Sequence, residues 1–436
     1  MKIYDISQIP EGLRPKTYED YLISGYTAGY EAGYNSYTCY KNQYFTLEFM
    51  EDGNIPGLSS GMCFSINGGE WIEHQSGVLA VSSGDVIRFK KLYTGETYDF
   101  QEIIYRCKAY GNTMSLIYGD DFADKTEFPS GARSCLAQKF AGSDGLIDAS
   151  DMVLPATTLV SNCYQGMFEN CINLVSAPKL PATNLGEYCY LSMFENCRSL
   201  ETAPELPATI LQSGCYMNMF NGCTSLVTVP ELPSTTLASM CYTAMFAGCT
   251  SLKNAPELPA TNLPMACYQA MFNGCSNLVT APELPATTLG LSCYQVMFAN
   301  CASLSTAPNL PATLLADNCY YGMFSGCTNM TAIPDLPATT LRPLCYSYMF
   351  ENCGNFHNAP VLPAATLVDW CYFRMFSGCR GVSYVKCLAT DISAKSCTNY
   401  WLDGVAASGT FVKNAEMNDW TTGSSGIPDN WTVINV

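Results

Sequence analysis

CYQVMFANC, residues 293–301, is one of nine near-copies. CYQGMFENC stands at 163–171, CYLSMFENC at 189–197, CYMNMFNGC at 215–223, and the series runs to CYFRMFSGC at 371–379. First cysteines (Cys163 to Cys371) and second cysteines (Cys171 to Cys379) both recur every 26 residues. The unit reads C-Y-x-x-M-F-x-x-C-x-x-L-x-x-A-P-x-L-P-A-T-x-L-x-x-x. One such unit cannot bury its apolar letters alone, but a stack of them can, so the period predicts a solenoid. A degenerate unit precedes the array, from Cys135 to Phe140, with Ser143 in place of the second cysteine. Another follows, where Cys397 keeps the period and Val405 replaces its second cysteine. Terminal coils must face water, and atypical ends suit that role.

Cys163, Tyr164, Met167, Phe168 and Cys171 follow i, i+4, i+5, i+8 spacing, which predicts one face of a short helix. Leu174 and Ala177 leave room for one brief strand. Pro178 and Pro181 remove two backbone donors, so that strand ends near them. The LPATxL segment then returns in an extended path. Each coil is expected to be strand, proline-rich turn and helix.

The cysteine spacing admits a disulfide scaffold, a metal array or a stack of buried thiols. On a helix two residues eight apart are about 12 Å apart, too far to bond. Helices packed at about 8–10 Å also hold successive cysteines apart. The chain has no CxxC and only two histidines, whereas metal sites need convergent ligands. A buried thiol ladder fits best, since free cysteine is among the most buried residue types. A few disulfides, or a metal, are the remaining alternatives.

Acidic residues outnumber basic ones 38 to 21, for a net charge of -17. That argues against binding nucleic acid, which needs clustered Lys and Arg. No apolar run approaches the roughly 18–20 residues of a membrane span. The start, MKIYDISQIPEGLRPKTYEDY, lacks a signal-peptide pattern.

The tokens MFNGCTSL (219–226), MFAGCTSL (245–252) and MFNGCSNL (271–278) resemble leucine-rich repeats of the BspA-like (Treponema-type) class. The resemblance covers about 135–410. It departs from the commonest form in its longer coil and doubled prolines. The closing segment, from YVKCLATDISAKSC to GIPDNWTV, looks like the end of such proteins from gut Bacteroidales. The resemblance implies a right-handed leucine-rich-repeat coil and a non-enzymatic surface protein tied to adhesion and ligand binding.

Outside the array, residues 46–128 alternate apolar and polar letters between turn residues and read as a small β-sandwich, with Asn67-Gly68-Gly69 as a hairpin turn. Residues 1–45 form a leader. In it Tyr18, Leu22, Tyr26, Tyr30 and Tyr34 stand four apart beside Gly25, Gly29 and Gly33, as an assembly helix or a tail. Similar GY-repeating leaders look like those of gut phage structural proteins. The domains expected are thus the leader at 1–45, the sandwich at 46–128, a cap at 129–162, nine repeats at 163–386, and a C-terminal cap at 387–436.

Catalysis finds little support. His74 and His357 fall in different domains. Gly57-Leu58-Ser59-Ser60-Gly61 matches G-x-S-x-G letters without the strand-to-helix context that motif needs. No phosphate loop, dinucleotide fingerprint or HExxH is present, so neither a cofactor nor a metal is expected. Two surface features stand out. Glu205, Glu231, Glu257, Glu283 and Asp335 share one repeat position, flanked by Lys179 and interrupted by Asn309. This acidic row is a solubilising stripe or a surface for cations or a basic partner. The residues around each first cysteine vary and become large toward the end: Tyr321, Arg342, Leu344, Tyr348, Trp370, Phe373 and Arg374. Aromatic side chains with arginine are typical binding anchors, and they also suit end-capping.

The expectation is therefore an α+β repeat solenoid with an N-terminal β-sandwich. It would act outside the cell, on a bacterial surface or a phage particle. The ligand would be a protein or glycan on a cell surface; the alternative is a virion protein docked by its leader, as a homo-oligomer or on other subunits.

Overall fold

The computed structural model describes residues 40–56, 58, 61–75, 77–92, 102–354 and 356–436. Tyr18, Leu22, Tyr26, Tyr30 and Tyr34 lie outside the described residues, as does most of the G-x-S-x-G stretch.

The array is a stack of 26-residue coils, but its coils contain no helix among the described residues. The segment at 163–171 is a ribbon of consecutive turns. Alternate amides bond within the ribbon, as in Gln165 N–H to Asn162 O (3.2 Å) and Met167 N–H to Tyr164 O (3.2 Å). The others donate to the next coil: Tyr164 to Cys189 O (3.0 Å), Gly166 to Leu191 O (2.8 Å) and Phe168 to Met193 O (2.9 Å). Every fourth residue has positive φ, as at Asn162 (59°), Gly166 (57°) and Asn170 (61°). That left-handed step turns the ribbon back before a helix can form. It also puts two side chains in and two out, which is why the inward letters mimic a helical spacing.

The expected strand is also shorter than a strand. Most neighbouring coils bridge at isolated parallel positions, such as Thr202↔Thr228 before the prolines and Asn184↔Ile210 after LPAT. Between these corners the chain is extended, with Leu206 and Ala208 buried and Glu205, Pro207 and Thr209 exposed.

Successive coils are close. Tyrosine rings from Tyr164 to Tyr372 stack at 5.7–6.2 Å. Phenylalanine rings from Phe140 to Phe376 stack at 5.3–5.8 Å. The helix-based reason for keeping cysteines 8–10 Å apart is therefore wrong. The described cysteines are nonetheless free thiols. Side chains related by a simple step along the stack stand a full coil spacing apart, whereas a disulfide needs Cβ atoms at about 3.5–4.5 Å.

The N-terminal region is less symmetric than a sandwich. Strands β1 (Phe45–Phe49), β2 (Gly53–Ile55), β3 (Met62–Ile66), β4 (Ile72–Glu73), β5 (Leu79–Val81), β6 (Val86–Lys91), β7 (Cys107–Asn112), β8 (Leu146–Asp148) and β9 (Met152–Val153) make one seven-stranded sheet and a two-stranded ribbon, β2–β5. The sheet order is β4-β3-β6-β1-β7-β8, with β9 also on β7. Asn67 (φ 51°) and Gly68 (φ 76°) form the β3–β4 hairpin turn, closed by Gly69 N–H to Ile66 O at 2.9 Å. The sheet does not stop at residue 128. Its antiparallel strands give way to parallel pairing of β7 with β8 and β9, and Asp148 then bridges Ser176 of the next coil. A helical turn, α1 (Ser115–Tyr118), and a 3-10 turn (Gly119–Phe122) follow β7.

Both ends of the ring ladders are covered. Phe45 meets Phe140 at 5.4 Å, and Phe128 meets Tyr164 edge-on at 5.6 Å. At the far end Trp401 extends the tyrosine ladder (6.2 Å from Tyr372), and Trp420 stacks on it at 5.4 Å. Three parallel strands, β10 (Tyr384–Cys387), β11 (Thr410–Lys413) and β12 (Thr432–Asn435), close the chain.

Candidate recognition surface

The turn ribbons form one long face, and their left-handed steps dictate what it carries. The third step of each coil is always Asn or Gly, from Asn170 to Gly378. The first two steps accept other residues, and in early coils these are often small, such as Gly166, Ala244 and Ala270. In the last coils most are large: Leu344 (59°), Tyr348 (58°), Trp370 (60°), Arg374 (53°) and Tyr400 (57°), with Ser396 (53°) the exception; earlier, Tyr188 (53°) and Met240 (57°) are large singly. A left-handed conformation costs an ordinary L-residue roughly 1–2 kcal/mol.

These side chains form a continuous ridge. Tyr321 meets Tyr348 at 5.2 Å, Tyr348 meets Phe373 at 5.2 Å, and Phe373 meets Trp370 at 4.9 Å and Tyr400 at 6.5 Å. The Arg374 guanidinium lies 5.4 Å from the Tyr400 ring centre and 6.0 Å from that of Phe373, and it pairs with Glu351 at 3.1 Å. Lys395 Nζ lies 5.8 Å over Trp370. Tyr321, Tyr348, Trp370, Phe373 and Arg374 are half-buried, and Tyr400 is exposed. Burial, then the neighbouring Tyr348, raises the Tyr321 hydroxyl above its ordinary pKa. Five of the six sequence-expected ligand residues thus come together. Arg342 does not join them; it is held in an exposed ion pair with Asp317 at 2.9 Å. Tyr400, Lys395 and Glu351 were missed. Tyr400 was legible, because it occupies in the degenerate coil the position that Arg374 occupies in the last full one.

Glu205, Glu231, Glu257, Glu283 and Asp335 are all exposed, one per coil, and have no salt-bridge partner among the described residues. No group of three or more metal-ligating side chains gathers among the described residues, and no helix there is long and apolar enough to cross a membrane. His74 is buried with Nε2 unpartnered, while His357 is exposed with Nδ1 3.0 Å from Gly381 O. A polar cleft of about 390 Å³ between β1, β7 and the β8–β9 loop is lined by Tyr40, Glu48, Lys108, Tyr110, Asp148 and Asp151, among others.

A second aromatic–cation cluster lies on the N-terminal sheet, unmarked by any repeat. Lys90 Nζ sits 4.5 Å over Trp71 and binds Asp120 at 2.8 Å, while Tyr44 donates to Asp120 at 2.7 Å. The Lys90 and Tyr44 bonds hold the Asp120 carboxyl below its ordinary range. Burial, then the Asp120 bond, pushes the Tyr44 hydroxyl up to about 12. This cluster is internally satisfied, with its lysine already matched.

No protein-family model matches the chain, and none of the curated proteins matches it.

Proposed function

We propose that this chain is a non-enzymatic recognition protein that meets a protein or glycan ligand on a cell surface through the ridge of Tyr321, Tyr348, Trp370, Phe373, Arg374 and Tyr400. The observation that carries the proposal is the strain. Four of the six ridge residues, Tyr348, Trp370, Arg374 and Tyr400, stand on left-handed steps that glycine or asparagine fills more cheaply. Backbone strain of this kind gathers at ligand-binding sites, where the gain is made elsewhere than in folding. The ridge has the anchor chemistry of binding hot spots, aromatic rings with arginine. The finer fold, a right-handed leucine-rich-repeat coil of the BspA-like class, belongs to the same proposal and stands on the MF-x-G-C-x-x-L tokens. So does a place outside the cell, on a bacterial surface or a phage particle.

The test separates binding from folding. Trp370→Asn with Phe373→Ala removes two anchors, and the asparagine suits the left-handed step. The full chain and this variant are compared for binding to intact bacterial cells and to an array of immobilised glycans. The variant should keep its melting temperature within a few degrees and lose binding at least tenfold. Glu231→Gln with Glu257→Gln, on the acidic row, should bind like the parent. Undiminished binding by the ridge variant removes the ridge from the proposal.

A further inference from the structure

Among the described residues, strand β12 is open on one side. β12 pairs with β11 on one side, and all four of its residues are exposed. The core columns run straight out to it. Val385 and Phe411 are fully buried, yet their next neighbour in register, Val433, is 44% exposed. Val412 is 5% exposed and its neighbour Ile434 is 46% exposed. The segment TVINV (432–436) has no charge, proline or glycine. Those are the usual devices that keep sheet edges from pairing. The opposite end of the ladder is β4, with only two residues, one of them Glu73.

We infer that β12 is a self-association edge whose occupant is β12 of a second copy of this chain, running antiparallel. The backbone register favours this pairing. Thr432 N–H donates inward to Gly409 O (2.8 Å), and Val436 N–H to Lys413 O (3.0 Å). In a parallel pair, alternate residues point both backbone groups to the same side, so Val433 and Asn435 face outward. Antiparallel pairing of Val433 with the second copy's Asn435, and of Asn435 with its Val433, makes four main-chain hydrogen bonds about a two-fold axis. Ile434 then faces its own counterpart at the close, non-hydrogen-bonded position, flanked on each side by a Thr432–Val436 pair. Head-to-tail growth would need β4, which is too short to match. The contact is therefore isologous and closes at two copies. Five residues from each copy make a small interface, so the dimer is weak and concentration-dependent. Each copy carries a net charge of -17, so added salt strengthens the dimer by screening repulsion. The pairing would bring two ridges together, which raises avidity for a multivalent surface.

Sedimentation of the full chain over a wide concentration range tests this. The mass should rise from 47.5 kDa toward twice that value, and further at higher salt. Asn435→Pro removes only an outward N–H, and Ile434→Lys places like charges opposite each other. Both variants should stay monomeric at every concentration while keeping the parent's melting temperature. In hydrogen exchange, the Val433 and Asn435 amides should gain protection as concentration rises, in the parent alone. A parent that stays monomeric throughout, or variants that dimerise like the parent, would overturn the inference; the second outcome would move the contact to another part of the chain.

Discussion

At the scale of the residue, the second cysteine of each coil has a task that its burial alone did not announce. Its thiol donates to the carbonyl of a phenylalanine one coil back, at 2.8–3.2 Å in all nine coils. The site therefore wants a small, mostly apolar side chain that still carries a donor. The first cysteine Cys241 is equally buried but makes no bond to a phenylalanine carbonyl among the described residues. The two ladders should answer differently to substitution. Cys249→Ser keeps the donor to Phe220 O and should cost less than Cys249→Val, which removes that bond and leaves the carbonyl with the Cys223 N–H alone, a loss of about 0.5–1.5 kcal/mol. At Cys241 the order should reverse. Urea melts of the four variants decide this, and equal losses at both sites would remove the bond from the account. The sequence made the buried ladder readable through repetition, but not the donation, because the acceptor lies 29 or 31 residues away on another coil. Reactivity follows from the same burial. Desolvation pushes the Cys223 thiol up to about 12 and raises Cys135 as well. Only Cys135 among the described cysteines is more than marginally exposed. At neutral pH an alkylating agent should therefore modify Cys135 well before any ladder thiol, as mass spectrometry of native protein would show.

At the scale of the element, the turn ribbon shows how far a pattern of apolar letters can mislead. Inward residues at 163, 164, 167, 168 and 171 fit a helix by spacing. A true helix at 100° per residue would carry the eighth step about 80° off the face, whereas a strict period of four keeps it in line. The sign that decides between them was present at one position. The residue before every second cysteine is Asn or Gly, the two residues that enter the left-handed region most readily. A helix would have no reason for that restriction. The ribbon makes testable distinctions among its steps. Val296 is β-branched at φ 49°, so Val296→Gly should raise stability by roughly 1 kcal/mol. Gly222→Ala should cost more than the left-handed conformation alone, because the new Cβ would lie 2.3 Å from Asn196 Oδ1 and force that side chain to turn away. Gly248→Ala meets nothing closer than 3.6 Å and should cost only the left-handed conformation, about 1–2 kcal/mol. Thermal melts that rank the two alanine variants equally would show that conformation, not contact, sets the cost.

At the scale of the whole molecule, one ladder of backbone pairing runs from β4 through the coils to β12, and the repeat made its middle legible while its ends were not. A repeat announces itself by recurrence. The sheet, the ring caps at Phe45, Phe128 and Trp420, and the open β12 edge each occur once, so only their three-dimensional neighbours identify them. The stacking also makes the molecule's response to alkali collective. Burial pushes many ladder thiols from an ordinary 9.0 up to about 12, Cys215, Cys223, Cys275 and Cys327 among them, and raises Tyr190 well above 10.0. The unfolded chain gives up these protons first. Below pH 9 both states hold them, and the stability that neutral burial provides is fully present. From pH 9 toward 12 the unfolded state is increasingly favoured, by up to about 1.4 kcal/mol per group for each pH unit. With many groups acting together, the protein should show flat circular dichroism up to about pH 9 and then unfold in one steep step well short of pH 12. Tyrosinate absorbance should appear in that same step, because the ladder rings cannot ionise while stacked. Tyrosines that titrate near 10 without loss of the circular dichroism signal would mean that water reaches the ladder, and the continuous core described here would have to be abandoned.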